Sequence, residues 1–284
     1  MKELVALHDA KSHSTSEGFA VSYLGARVRP VIPLSTGVVF NAGFGRRRMT
    51  YLCTQPARTM NVYGAVRVLS ANPWEVPADW TITKRKEYVL RTLSADHMTR
   101  KERYNEITHP VRTLGKQGYV LRRMTPADLP GVEALWRKWC AMKLSDPKLH
   151  RISFTAARYL RCVRDALDDA YPSAAYVLAS SDRIAAARIL STTATRAFDL
   201  AFFSDRDVKE SARAMQWLSL QDLFANGITE VNFGESTGKG LSHFKTRLNT
   251  EVIDSFQHDA LERSEAGLFD DTPSSIPARE DLAA

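Results

Sequence analysis

Beyond Gly118 the apolar residues of this 284-residue chain change their period several times in a definite order. That order restricts the folds open to it more than any other feature. Tyr119–Met124 alternates as a strand does. Thr125 then stands as an N-cap, with Pro126 at the first helical position and Asp128 three residues after the cap. Leu129, Val132, Leu135, Trp136 and Trp139 recur at helical spacing behind it. A second helix is expected over about 154–170, ahead of Tyr171–Pro172. Three strands follow, over 174–180, 183–193 and 195–204, the first two joined by a turn at Ser181–Asp182. A helix over 210–227 closes at Asn226–Gly227, a pair suited to a left-handed C-cap. A strand over 228–236 and a short helix over 240–249 complete the series.

The first part of the chain reads differently. Residues 20–70 hold short runs of β-branched and aromatic residues separated by Gly, Pro and Asn, and 80–93 adds one more strand. From Ser94 to Lys116 the pattern turns helical and basic, interrupted at Pro110. The segment beyond about 260 is rich in Ser, Pro, Asp, Glu and Ala. The expected division is therefore a β-rich region 1–93, a basic helical connector 94–117, an α/β domain 118–258 and a loose acidic tail 259–284.

Charge and cysteine usage narrow the function classes. Residues 81–125 carry eleven Lys and Arg against four Asp and Glu, a surplus equal to the +7 of the whole chain. Such a basic middle suits a polyanionic partner or a nucleotide cofactor, or else a solvated helix face. No apolar run approaches the roughly 18 residues of a membrane span, and charges interrupt any secretory signal in MKELVALHDAKSH. Cys53, Cys140 and Cys162 lie too far apart for a disulfide framework or a CxxC metal site. Buried thiols in a cytoplasmic protein, with no metal, are the expectation.

The stretch from Asn226 to Asn249, NGITEVNFGESTGKGLSHFKTRLN, carries Asn232–Phe233–Gly234, then Gly240–Leu241, then Phe244–Lys245. Together with the connector SADHMTRKERYNEITHPVRTLGKQGYVLRRM, it resembles the FemAB-like branch of the GNAT acyltransferase superfamily. The resemblance covers about residues 94–250. It implies an α/β (α+β) fold, a GNAT-like mixed, mainly antiparallel sheet flanked by helices. Two strands of that sheet splay apart to admit a thioester arm, so the strand ending at Phe233 should run parallel beside the one ending near Phe203. Residues 1–93 would then be a shortened, degenerate first unit of a tandem GNAT pair. A P-loop reading of GESTGKG fails: only three residues separate Gly234 from Gly238, and Gly240 stands after Lys239 in place of Ser or Thr.

The resemblance implies an N-acyltransferase with acetyl-CoA as donor and a primary amine as acceptor, extending to an aminated base in DNA. Glu235, at the end of its strand, could take the amine proton, or could equally be a loop carboxylate or helix cap. Lys245 lies beside the apolar stripe Leu241, Phe244 and Leu248; in the family a lysine there meets a negatively charged group. Phe203, Ser204, Ser211 and Arg213 are the positions expected to hold the donor, and Arg100, Arg103 and Tyr104 those expected to grip an anionic substrate. One departure bears on the donor. Most GNAT enzymes hold the CoA pyrophosphate on a glycine-rich loop, whereas Ser204–Ala212 contains no glycine. Two further readings therefore stand beside the first: an aminoacyl-tRNA-dependent FemAB-type transferase, and a non-catalytic nucleic-acid-binding module on a GNAT fold.

Overall fold

The computed structural model describes residues 81–144, 160, 162–168, 173–192, 194–235, 245–263 and 267–269, together with short strands between 32 and 70. The chain divides into two units, one of residues 1–87 with 252–284 and one of residues 88–251.

In the first unit the described strands are β1 (Ile32–Pro33), β2 (Gly37–Ala42), β3 (Arg47–Leu52), β4 (Thr59–Asn61) and β5 (Gly64–Ser70). β6 (Thr81–Leu90) begins here and ends in the second unit. β2 pairs antiparallel with β3, and β3 parallel with β5. From the far end of the chain β12 (Glu251–Arg263) returns antiparallel to β5, from Phe256↔Ser70 to Arg263↔Gly64. β13 (Gly267–Phe269) pairs with β4. The stretch expected as a loose tail thus begins, at 259–263, inside a strand; 264–266 and 270–284 lie outside the described residues.

Among the described residues the second unit follows the order read from the sequence, while 154–159, 161 and 169–170 of the second expected helix and 240–244 of the last one lie outside them. β7 (Val120–Arg123), β8 (Ser173–Ala179), β9 (Ile184–Thr192) and β10 (Arg196–Ser204) form an antiparallel series. β11 (Glu230–Glu235) lies parallel beside β10, and the end of β6 lies beyond it. The unit is a mixed α/β domain, a mainly antiparallel sheet flanked by helices, as the resemblance implied.

Helices cover both faces of the central strands. Trp139, on α3 (Leu129–Leu144), meets Phe203 edge-on at 5.5 Å. On the opposite face α4 (Ser211–Ala225) brings Ser219 to Arg188. This double cover explains why seven consecutive residues of β9, Ala185–Ser191, are buried, with no polar alternation. The three alanines Ala185–Ala187 keep that strand thin. The α4 side of the core gathers Tyr176, Leu178, Leu190, Met215, Leu223 and Phe233.

Local chemistry sets the element ends. At the end of α4 the Ile228 N–H bonds to the Leu223 carbonyl and the Gly227 N–H to that of Phe224, with Gly227 at φ 90°. This is the double bond of a Schellman cap, with Leu223 and Ile228 both in the core. The connector contains α1 (Arg100–Arg103), a π-helical turn (Tyr104–Thr108) and α2 (His109–Lys116). Pro110 has no N–H to give to the carbonyl four residues back, which suits the wider register of the turn before it. α2 ends at Gly118, φ 78°, with the same pair of bonds: Tyr119 N–H to Leu114 and Gly118 N–H to Gly115.

At the entrance to α3 the Asp128 carboxylate accepts from the Thr125 N–H at 2.8 Å, the Thr125 hydroxyl at 2.9 Å and both Arg122 terminal nitrogens at 2.6 Å. The Arg122 bonds, outweighing burial and helped by Thr125, lower its pKa to about 2. The depressed value means that Asp128 stabilises the fold above the ordinary carboxylate pKa, and the contribution disappears as pH falls toward 2. Asp128→Asn should therefore lower unfolding free energy at neutral pH by on the order of 2 kcal/mol, with a much smaller difference from wild type near pH 2. Urea denaturation at the two pH values measures both.

Candidate functional site

β10 and β11 share only three register pairs, Arg196↔Glu230, Ala197↔Val231 and Phe198↔Asn232. Both strands continue, to Ser204 and Glu235, but the pairing does not. The expected parallel pair, splayed toward its C-terminal ends, is present. On the β10 side the separation begins at a bulge: the register against β9 shifts between Asp199 and Ala201.

Opening a parallel pair strips backbone groups of their ladder partners, and the far end of β11 meets this with side chains. Asn232 is buried, and its Oδ1 accepts the Gly234 N–H at 2.6 Å. Lys245, 5% exposed, donates from Nζ to the carbonyl oxygens of Phe233 at 2.6 Å and Gly234 at 3.0 Å. Its ammonium also lies 5.4 Å from the centre of the Tyr88 ring. Gly234 takes φ 64°, a left-handed conformation that turns the strand and favours glycine. Asn232, Gly234 and Lys245 thus form one device that fixes the end of β11 beyond its last pairing with β10.

A second polar group lies between β9, β10 and α4. Arg188, 1% exposed, makes two bonds of 3.1 Å to Asp199 and one of 2.8 Å to the Ser219 hydroxyl. Its guanidinium lies 5.5 Å from the Phe233 ring and 6.0 Å from that of Phe202. The pair ties the bulge of β10 to α4 at the point where the strands part.

The loop from β10 into α4 closes on itself. Asp205, 5% exposed, accepts from Lys138 Nζ at 2.7 Å, from Arg183 and from the Asp207 N–H at 3.0 Å. Burial raises its pKa, but the Lys138 and Arg183 bonds, with the Asp207 N–H, bring it below the ordinary value. The Asp205 carbonyl accepts the Val208 N–H at 3.2 Å and the Ser211 hydroxyl at 3.2 Å, and the Ser211 N–H goes to Val208. A carboxylate of the chain itself therefore occupies this loop.

The residues singled out from sequence fall in several places. Phe203 is fully buried against Trp139, and Ser204 ends β10. Ser211 is spent on the loop, while Arg213 pairs with Glu210 at 2.7 Å and Glu106 at 3.1 Å. Arg103 bonds the Ala95 carbonyl at 2.9 Å; Arg100 and Tyr104 are exposed, and Tyr104 lies against His109 at 5.7 Å. Glu235 ends β11, one residue past Gly234; Gly240, Leu241, His243 and Phe244 lie outside the described residues. Sequence reasoning missed Arg188, Asp205 and Glu106. A lone arginine within the apolar run IAAARIL was the available signal for the first.

Among the described residues no group of three or more His, Cys, Asp or Glu is arranged to hold a metal, and no helix is long and apolar enough to cross a membrane.

No family model and no curated protein matches this sequence. Solved structures do match in fold. A conserved protein of unknown function from Bacteroides thetaiotaomicron superposes at TM-score 0.62 and 12% identity, over 91% of this chain and 94% of its own. The C-terminal domain (DUF2156) of a proposed lysylphosphatidylglycerol synthetase from Agrobacterium fabrum gives 0.54 and 11%, over 86% and 87%. L-PGS from Bacillus licheniformis gives 0.55 and 12%, over 87% and 88%. With the splayed pair and the helices on both faces, the chain has a GNAT-like fold.

Removing one part of the β11 device should loosen that end alone. Asn232→Ala leaves the Gly234 N–H without its acceptor, at about 1–3 kcal/mol. Amide exchange at 233–235 should accelerate while that of β8 and β9 stays slow; uniform acceleration would mean that Asn232 supports the whole core instead.

Proposed function

We propose that this chain is an acyltransferase that moves an acyl or aminoacyl group onto a primary amine in the gap between β10 and β11. The observation that carries this reading is the gap itself. It is built into the sheet and held by buried polar side chains, at a cost that a purely structural sheet has no reason to bear. Acyl transfer to an amine requires a neutral amine beside the carbonyl and donors for the developing oxyanion. Past Phe198 the edge of β10 is no longer paired with β11, so its backbone N–H groups are suited to both the donor arm and the oxyanion. Glu235, ending β11, is proposed as the base that takes the amine proton, directly or through water. Lys245 is proposed as a positioning residue that fixes the Phe233 and Gly234 carbonyls.

For the donor, aminoacyl-tRNA is favoured over acetyl-CoA. The loop leading into α4 carries Asp205, Asp207 and Glu210, so a pyrophosphate approaching the start of that helix would meet carboxylates. The basic connector suits an RNA donor. No contact among the described residues of the second unit singles out an aminated base in DNA as the acceptor, or a purely binding role.

Thermal unfolding with acetyl-CoA and with charged tRNA tests the donor. A ligand of the native state at a hundredfold excess over Kd adds about 2.7 kcal/mol of apparent stability. Charged tRNA should stabilise and acetyl-CoA should not; the reverse outcome returns the donor to acyl-CoA. Glu235→Gln should lower turnover about 10²-fold at neutral pH, with a smaller deficit at high pH where more of the amine is already neutral. Unchanged turnover in a folded Glu235→Gln would remove that residue from the chemistry.

A further inference from the structure

A cleft in the second unit is lined by Met98, Glu106, Arg213, Gln216, Trp217 and Arg247. Glu106 comes from the π-helical turn of the connector, Arg213 and Gln216 from the first turns of α4, and Arg247 from two residues after Lys245. Both guanidiniums converge on one oxygen: Arg247 reaches Glu106 Oε2 at 2.6 Å and Arg213 reaches the same atom at 3.1 Å. Gln216 is 6% exposed, and its buried Nε2 has no hydrogen-bond partner. A buried amide donor left unsatisfied costs free energy, so natural structures rarely retain one without a partner that arrives later. A single carboxylate oxygen accepts from both arginines and leaves the amide unmet.

We infer that this cleft is an oxyanion site for a phosphate group of a substrate, in which Glu106 serves as a resident anion and Gln216 supplies the unused donor. A tetrahedral phosphate offers more acceptor oxygens than the resident carboxylate, and arginine forks match it in geometry. The Glu106 charge opposes the incoming anion, which keeps the site weak for free phosphate and selective for a phosphate delivered by a larger ligand. Glu210, paired with Arg213, adds a second negative charge at the rim. The inference rests on the transfer reading only for the identity of the ligand that carries the phosphate.

The test reads binding without turnover, so its failure and that of the transfer reading are distinguishable. Inorganic phosphate is titrated into ¹⁵N-labelled full-length protein, with the Gln216 side-chain amide assigned through its loss in Gln216→Leu. That amide should shift with millimolar phosphate. Glu106→Gln, which removes one opposing charge, should bind phosphate about tenfold more tightly. Gln216→Leu and Arg213→Ala should bind it more weakly. A short RNA ending in CCA that displaces phosphate assigns the site to an RNA donor; glycerol 3-phosphate displacing it when the RNA does not assigns it to a small substrate. A Gln216 amide that does not respond, equal affinity in Glu106→Gln and wild type, or phosphate displaced by neither ligand would each overturn the proposal. Circular dichroism of the variants checks folding, and the wild-type titration stands on its own if a variant fails that check.

Discussion

The second unit depends on how an opened parallel strand pair is kept from closing or fraying. Paired strands exchange backbone hydrogen bonds, and a buried N–H or carbonyl without a partner is costly. β10 and β11 give up their shared ladder after Phe198↔Asn232. On the β11 side, Asn232 takes up the Gly234 N–H and Lys245 bonds two successive carbonyls. An ammonium can serve both because it has three donors on one point charge, whereas a planar guanidinium would need the oxygens spread along its fork. Gly234 belongs to the same solution, since its left-handed φ redirects the strand where a side chain would be strained. These residues fix the end of β11 where its pairing with β10 has stopped.

The opening is also supported from beneath. Arg188 is buried between Ala187 and Ile189, an arrangement that is costly unless its donors are used. Two of its bonds go to Asp199, where β10 begins to bulge, and one to Ser219 of α4. Removing either partner would leave a charge in the core, so the bulge and the helix are held in one register. Specificity of this kind, rather than net stability, is what a buried ion pair is best suited to supply.

Legibility from sequence varied with how local the determining physics is. The order of strands and helices after Gly118, the Thr125 entrance to α3 and the Asn226–Gly227 exit from α4 rest on neighbours within a few residues, and all were readable. The parallel, splayed pair was readable only through the family resemblance carried by Asn232–Phe233–Gly234 and Lys245. The role of Lys245 was not: an amphipathic pattern shows which face is apolar, but not that the ammonium turns inward to carbonyls twelve residues away. Glu106 and Asp205 were missed for the same reason. Their partners lie 107 and 141 residues away for Glu106, and 67 away through Lys138 for Asp205, with no periodicity linking them.

Asp205 shows how one acidic residue can change what a common scaffold is able to hold. In this fold the N-terminus of the helix after the fourth strand of the domain is a natural anion site, because its first N–H groups lack helical partners and the helix dipole favours negative charge. Here the loop leading into it is Asp205–Glu210, and its first residue turns back so that its carboxylate receives the Asp207 N–H. Lys138 of α3 and Arg183 at the entrance to β9 neutralise that carboxylate from outside. The loop before the helix therefore carries its own anion, and Lys138 and Arg183 are committed to holding it; no side chain caps the helix itself. Arg213, on the first turn of that helix, pairs with Glu210 of the loop and with Glu106 of the connector.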